Sequence, residues 1–452
     1  MSEEQKASVA AEEAAMEAGT FPDGIVKEEI QPLTEEQKQT EVNSLREIAE
    51  SYKDKEKPLK ICIISSAAIA TPPQESEYAG LEVMTGNLAV ELARRGHSVY
   101  LFSTKGSRLA GHWGFEEEGT GKEGGGTLDV FETIEPTMTD ATAEFNHFLA
   151  YNPFILEHFG KGEGVVIDMT WTMWCYFMVS GIHAAPFGVK IDIDPHPDMK
   201  LVHMHHGMPN AASSPPNVKY PRILGTSTTH AYFVGQTMRT YARYIWHGIE
   251  LPEVTLEECT PTSPDIADGQ PYLLSINRMT DEKGIHDAIG VAVQSGMKIV
   301  VAGDDTKVRD SSYVAQIIEL CRNTGNYYYG LVDSYTKEEL LKHCTALITC
   351  PITQGPKAWV EAFGLAQLEA MAYFKPVLST MNGGIKDTIV HGQTGFLAET
   401  PQELVQYVSR LNEIDPNACR ARVEEHFTLE KMGERWEALL KDIMNDAPNS
   451  KW

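Results

Sequence analysis

Two series of short apolar runs, each alternating with stretches of helical periodicity, constrain this chain more than any other feature. In the first series, LKICIIS (Leu59–Ser65) is apolar without alternation, as a strand buried on both faces must be. LEVMTGNLAVELARRG (Leu81–Gly96) then has the apolar spacing of an amphipathic helix with Gly96 as its stop, and HSVYLFS (His97–Ser103) is the next strand. A strand–helix–strand unit demands a parallel sheet and a right-handed crossover. GVVIDMT (Gly164–Thr170) and KLVHMHHG (Lys200–Gly207) predict two further strands. The second series runs PYLLSIN, KGIHDAIGVAVQ, MKIVVAG, SYVAQIIELCRN, YYYGLV, TKEELLKHC and ALITCP, then a helix from about Gly364 to Phe374 and the strand KPVLST. Between the series, ELPEVTLEECTPTSPDIADGQ (Glu250–Gln270) is Pro- and acid-rich like a linker. The expected fold class is α/β: two Rossmann-like doubly wound domains facing an interdomain cleft, where ligands bind.

The expected division is an acidic N-terminal extension over 1–57, one domain over 58–255, a second over 256–427, and a C-terminal helix in 428–452 that crosses back to the first domain. The extension holds 15 acidic and 7 basic residues and reads as a solvated tail or a peripheral helix, with helix-forming composition over Thr34–Lys53. GlyGly-rich sequence over Glu116–Thr127 reads as a linker or lid, because no strand directly precedes it. The closing stretch Leu429–Met444 is strongly amphipathic.

The 452 residues exceed one ordinary core, and 42% hydrophobic with 23% charged residues is the balance of a soluble globular chain. There is no apolar run of about 18 residues, and the acidic N-terminus lacks the apolar centre of a secretory signal. The expected location is cytoplasmic, with peripheral membrane attachment left open. A net charge of −26 disfavours nucleic acid as a partner but leaves room for a local phosphate pocket. Seven scattered cysteines, odd in number and without C-x-x-C, argue against a disulfide framework and against a structural zinc.

Arg278 and Lys283, in NRMTDEKG, follow a predicted strand at its carboxyl end, where open α/β sheets bind ligands. They read either as surface charges or as a diphosphate site. WVEAFGLAQLEAMAYFKPVLST carries Glu361 and Glu369 around a helix start at Gly364. Eight helical residues rise about 12 Å, whereas glycosidase carboxylates stand about 5–9.5 Å apart. The pair is therefore either two exposed glutamates or a grip on the two ends of one extended ligand, rather than a hydrolytic pair. The helix start between them suits an anion. No G-x-G-x-x-G follows the first strand, which disfavours a nicotinamide dehydrogenase.

Taken together, the E-x7-E run EAFGLAQLEAMA, the Gly383-Gly384 pair, GQTG at 392–395 and the Arg278/Lys283 pair resemble the retaining glycosyltransferases of family 4 (glycosyl transferases group 1), which have the GT-B fold. The resemblance spans about Leu59 to Met444. It implies that Arg278 and Lys283 bind the donor's diphosphate and stabilise the leaving group. It also implies that Phe363, Gly364 and Leu365 offer backbone N–H groups, that Glu369 holds the ribose, that Glu361 holds the transferred sugar, and that Gly80 lies near the diphosphate. The implied function is transfer of a hexose from a nucleotide diphosphate sugar, with UDP ahead of GDP and ADP, to an unidentified acceptor: a sugar, a lipid-linked sugar or a small molecule. The nucleotide sugar is then substrate, and neither cofactor nor metal is required. Alternatives on the same fold are a nucleotide-sugar epimerase and a non-catalytic nucleotide-sugar-binding subunit; a homo-oligomer is admitted. Two positions depart from the family pattern. Ala79 stands where Gly is usual, and Asp387 where Glu is usual.

DIDPHPDMKLVHMHHGMP gathers His196, His203, His205 and His206 beside three aspartates, but H-M-H-H lacks the aspartate of a binuclear metal motif. The resemblance implies that His206, before Gly207, contacts the transferred sugar, with His205 as the candidate one residue earlier. A purely structural histidine is the competing reading.

Overall fold

A computed structural model of the protein describes residues 58–446, apart from 74–79, 110–125, 138–140, 185, 208–221, 239, 241, 262, 264, 306–309 and 355–358. The extension over 1–57, Ala79 and most of the Gly-rich segment lie outside the described residues.

The first half is built on seven parallel strands: β1 (Lys60–Ile64), β2 (Ser98–Ser103), β3 (Thr127–Glu132), β4 (Val165–Asp168), β5 (Lys200–Met204), β6 (Ile223–Gly225) and β7 (Ala242–Tyr244). Their order across the sheet is β3-β2-β1-β4-β5-β6-β7. The second half has six parallel strands: β8 (Tyr272–Ile276), β9 (Lys298–Ala302), β10 (Tyr327–Gly330), β11 (Ala346–Thr349), β12 (Val377–Thr380) and β13 (Gly395–Ala398), in the order β10-β9-β8-β11-β12-β13. In both sheets the order reverses beside the first strand, and that switch point is where doubly wound sheets open a crevice at their carboxyl ends.

The helices are α1 (Gly80–Arg94), α2 (Ala141–Phe159), α3 (Thr228–Met238), α4 (Ile285–Ser295), α5 (Ser311–Thr324), α6 (Ser334–His343), α7 (Leu365–Ala372), α8 (Pro401–Val408), α9 (Pro416–His426) and α10 (Leu429–Asn445). β4, β5, β11 and β12 are buried along their whole length, which is why their sequences are mostly apolar without alternation, with Asp168, Lys200 and His203 as buried exceptions. Among the described residues no helix is long and apolar enough to cross a membrane.

The chain passes twice between the halves, and the two passages lie side by side. Ile249 N–H donates to Phe427 O (2.8 Å), and Leu429 N–H donates to Ile249 O (3.1 Å). Thr428 caps α10 by accepting from Lys431 N–H. From there α10 packs on the first half: Trp436, Leu439, Leu440 and Ile443 join the core formed by α1, β1 and β2. Gly433 permits this approach, since a Cβ there would meet Glu91 Cγ at 2.4 Å.

Candidate functional site

The second half brings two of the predicted residues, Lys283 and Glu361, into direct contact. Lys283 ends a short turn after β8, and its Nζ donates to Glu361 Oε2 at 2.5 Å while standing 6.0 Å from the Trp359 ring. Arg278 lies 3.4 Å from Glu282 through one guanidinium nitrogen, and its Nε is buried without a hydrogen-bond partner among the described residues. Glu361 sits in a loop, not on the helix. Its N–H donates to Asn382 Oδ1 (2.9 Å) and its C=O accepts from Gly384 N–H (2.7 Å). The Gly383-Gly384 pair exists for this contact. Gly383 has φ +46°, and a Cβ on it would lie 2.1 Å from Glu361 O.

Beyond the loop, Gly364 takes a left-handed conformation (φ 100°) and opens α7, which ends at Ala372 rather than at the expected Phe374. Glu369 lies on α7 and its Oε1 accepts from Lys337 Nζ of α6 (2.6 Å). The helical rise applies only from Leu365 onward, and Glu361 lies before it. Each glutamate pairs with a different lysine on a different element. Phe363 is 3% exposed and packs in the core against Phe427, so what it turns toward a ligand is backbone. From the first half, Gly80 opens α1 opposite Leu365: a Cβ on Gly80 would lie 3.8 Å from Leu365 Cδ1. The starts of α1 and α7 thus face each other across the cleft.

A polar joint beside this site ties the halves together. Thr226 Oγ1 (2.9 Å) and Ser227 Oγ (2.6 Å) both donate to Ala362 O. Asp387, 1% exposed, accepts from Thr228 N–H, from Thr228 Oγ1 and from Trp246 Nε1 (3.0 Å). The departure from glutamate noted in the sequence therefore falls on a buried interdomain contact.

Five histidines line the first half's side. His206 stacks on His247 (5.5 Å, 5°), and His247 meets Phe363 edge-on (5.2 Å). His205 stacks on His230 (6.0 Å), whose Nδ1 accepts from Thr226 N–H. His203 joins Asp168 to His205. Burial pushes His205 and His206 well below the usual imidazole range, His230 to about 4 and His247 to about 3. The rings are thereby held neutral near pH 7. Nε2 of both His205 and His206 is buried without a hydrogen-bond partner among the described residues. Among those residues no three His, Cys, Asp or Glu side chains converge as a metal cage would require. Lys337, His230, His247 and the Thr226–Ser227 pair escaped sequence reasoning, since each acquires its place only through a partner remote in the chain.

Residues 260–425 match the family model described as glycosyl transferases group 1. The chain is 28% identical over 196 residues to an N-acetyl-alpha-D-glucosaminyl L-malate synthase of Bacillus anthracis, covering 41% of this chain and 49% of that protein. It is 28% identical over 220 residues to the alpha-1,3/1,6-mannosyltransferase ALG2 of Candida glabrata, covering 39% and 48%. The chain spans about half the length of these curated relatives. A solved glycosyltransferase from Rickettsia africae superposes with a TM-score of 0.60 at 18% identity, covering 86% of this chain and 100% of that one. Anabaena Alr3699/HepE in complex with UDP and glucose superposes with a TM-score of 0.56 at 15% identity, covering 85% and 99%. At those identities the likeness speaks for the fold, which is GT-B.

Proposed function

We propose that this chain, a GT-B protein whose residues 260–425 match the family model of the glycosyl transferases group 1, is a retaining glycosyltransferase moving a hexose from a nucleotide diphosphate sugar to an acceptor hydroxyl. The observation that carries the reading is the Lys283–Glu361 contact beside the Gly364 helix start. Arg278, Lys283 and the N–H groups of Gly364 and Leu365 then meet the diphosphate. Negative charge grows on that group as the glycosidic bond breaks, so fixed cations lower the barrier where charge develops. The phosphate replaces Glu361 as the partner of Lys283, and the freed Glu361 carboxylate accepts from hydroxyls of the sugar. Glu369 accepts from the ribose, and His206 meets the sugar from the other half. UDP is the favoured nucleotide, supported by the Anabaena neighbour's complexes with UDP and with UDP-glucose.

Calorimetry with UDP, GDP and ADP tests the donor: one nucleotide is expected to bind clearly best, and failure of all three sinks the reading. Incubation of UDP-glucose with and without an acceptor panel separates transfer from epimerisation of the donor alone. A transferred sugar of inverted configuration would remove the retaining assignment.

A further inference from the structure

Asp168, His203 and His205 form one buried hydrogen-bonded chain at the carboxyl end of the first sheet. Asp168 and His203 are wholly buried and His205 nearly so. Asp168 Oδ1 accepts from Thr170 N–H (2.9 Å) and from Thr170 Oγ1 (2.7 Å). Its other oxygen lies 3.0 Å from His203 Nδ1, and His203 Nε2 lies 3.2 Å from His205 Nδ1.

The order of protons along this chain follows from the chemistry of its ends. A carboxylate only accepts, so His203 carries its proton on Nδ1. A neutral His203 then offers a lone pair at Nε2, and the proton between the two rings belongs to His205 Nδ1. His205 Nε2 is left as a bare acceptor, and that atom is buried without a partner among the described residues. A charged His203 would reverse the order. With His203 neutral, each of its ring nitrogens has one matched partner, Asp168 at Nδ1 and His205 at Nε2. The His205 ring stands one stacked imidazole, His230, from the joint that grips Ala362 next to Glu361.

We propose that Asp168 and His203 are positioning residues which hold the His205 ring protonated at Nδ1, so that its Nε2 takes a hydrogen bond from a substrate hydroxyl in the cleft. The ligand's identity rests on the glycosyltransferase reading; the proton order rests on geometry alone. The site requires a hydrogen-bond donor, which a sugar hydroxyl supplies. A carboxylate or carbonyl there would meet lone pair with lone pair.

The full chain labelled with 15N-histidine tests the proton order, because two-bond proton–nitrogen spectra distinguish protonated from bare ring nitrogens. His205 signals are identified by their loss in His205→Gln. The expected wild-type result is protonated Nδ1 and bare Nε2. In Asp168→Asn, Thr170 keeps the amide oxygen and turns the NH2 toward His203, which reverses the chain and moves the His205 proton to Nε2. His203→Phe removes the acceptor altogether, whereas His203→Gln leaves a carbonyl oxygen to hold the Nδ1 proton. With UDP-glucose as probe, turnover falls on the order of 10-fold in Asp168→Asn and His203→Phe, the worth of one hydrogen bond, and recovers in His203→Gln. UDP affinity stays unchanged. A wild-type proton on His205 Nε2, or unaltered turnover in folded Asp168→Asn, overturns the proposal. If wild-type protein fails to bind UDP, the glycosyltransferase reading falls while the proton order is still decided by the spectrum.

Discussion

The carboxylate of Asp387 caps a helix that belongs to the other half of the molecule: Thr228, at the start of α3, donates to it through its N–H (2.8 Å) and its hydroxyl (2.7 Å). Trp246, just after β7, donates to the same carboxylate. Asp387→Ala strips these donors of their acceptor in a buried site, and a loss of about 2–4 kcal/mol is expected on chemical denaturation. Asp387→Glu adds a methylene to a filled space and should cost about 1–3 kcal/mol. An unchanged unfolding midpoint in Asp387→Ala would mean that the joint contributes nothing to stability.

On the proposed function, Arg278 and Lys283 are expected to serve the reaction rather than the fold. The Arg278 side chain is 43% exposed, and Lys283 pairs with Glu361. Replacing both by alanine is expected to lower transfer by at least about 100-fold, as loss of preorganised charge does elsewhere. Circular dichroism and melting temperature should stay near wild type. Near-normal turnover would remove their role at the leaving group.

Glu369 and Lys337 are each about one-third exposed, so their pairing adds only about 0–1 kcal/mol to stability. Binding should respond more strongly. Hydrogen bonds from ribose to a carboxylate are worth about 1.5–3 kcal/mol, so Glu369→Ala should weaken UDP roughly 10- to 150-fold by calorimetry. Lys337→Ala releases the carboxylate without removing it, and about a 3-fold loss is expected. Equal affinities for Glu369→Ala and wild type would refute the ribose role.

His230 and His247 give the joint a direction of pH sensitivity. Burial holds His230 at about 4 and His247 at about 3, whereas the unfolded chain takes up protons below about 6.5. The stability of the neutral rings is therefore complete above 6.5 and is lost as pH falls toward 4 and then 3. Each ring contributes a slope of about 1.4 kcal/mol per pH unit well inside that window. Urea midpoints measured from pH 7 to pH 5 should fall, and His247→Phe should flatten the fall. A slope identical in that variant would assign the effect to other groups.

The strands buried on both faces were legible because apolar residues dominate their sequences. β1, β8, β9 and β11 fall within a residue or two of the apolar runs that predict them. β6 and β7 were not legible: each has three residues, too few for any period, and β7 is only half-buried. α9 escaped because PNACRARVEEH has almost no apolar stripe, its anchors being Cys419 and Val423. At the site, sequence could mark Lys283 and Glu361 separately, but not that 78 positions of chain close to one contact. Asp168 was hidden inside the apolar run GVVIDMT, where its carboxylate reads as an exception rather than as one end of a proton chain.

The return of α10 to the first half also sets a timetable. The first half's core includes Trp436, Leu439, Leu440 and Ile443, whereas among the described residues the second half's core draws on nothing beyond Phe427. A ribosome therefore releases β1 through β7 long before the residues that seal α1, β1 and β2 have been made. The half synthesised last has its full set of core residues first, and the half synthesised first must keep an apolar face open until the last helix emerges. For this chain, the order of completion runs against the order of synthesis.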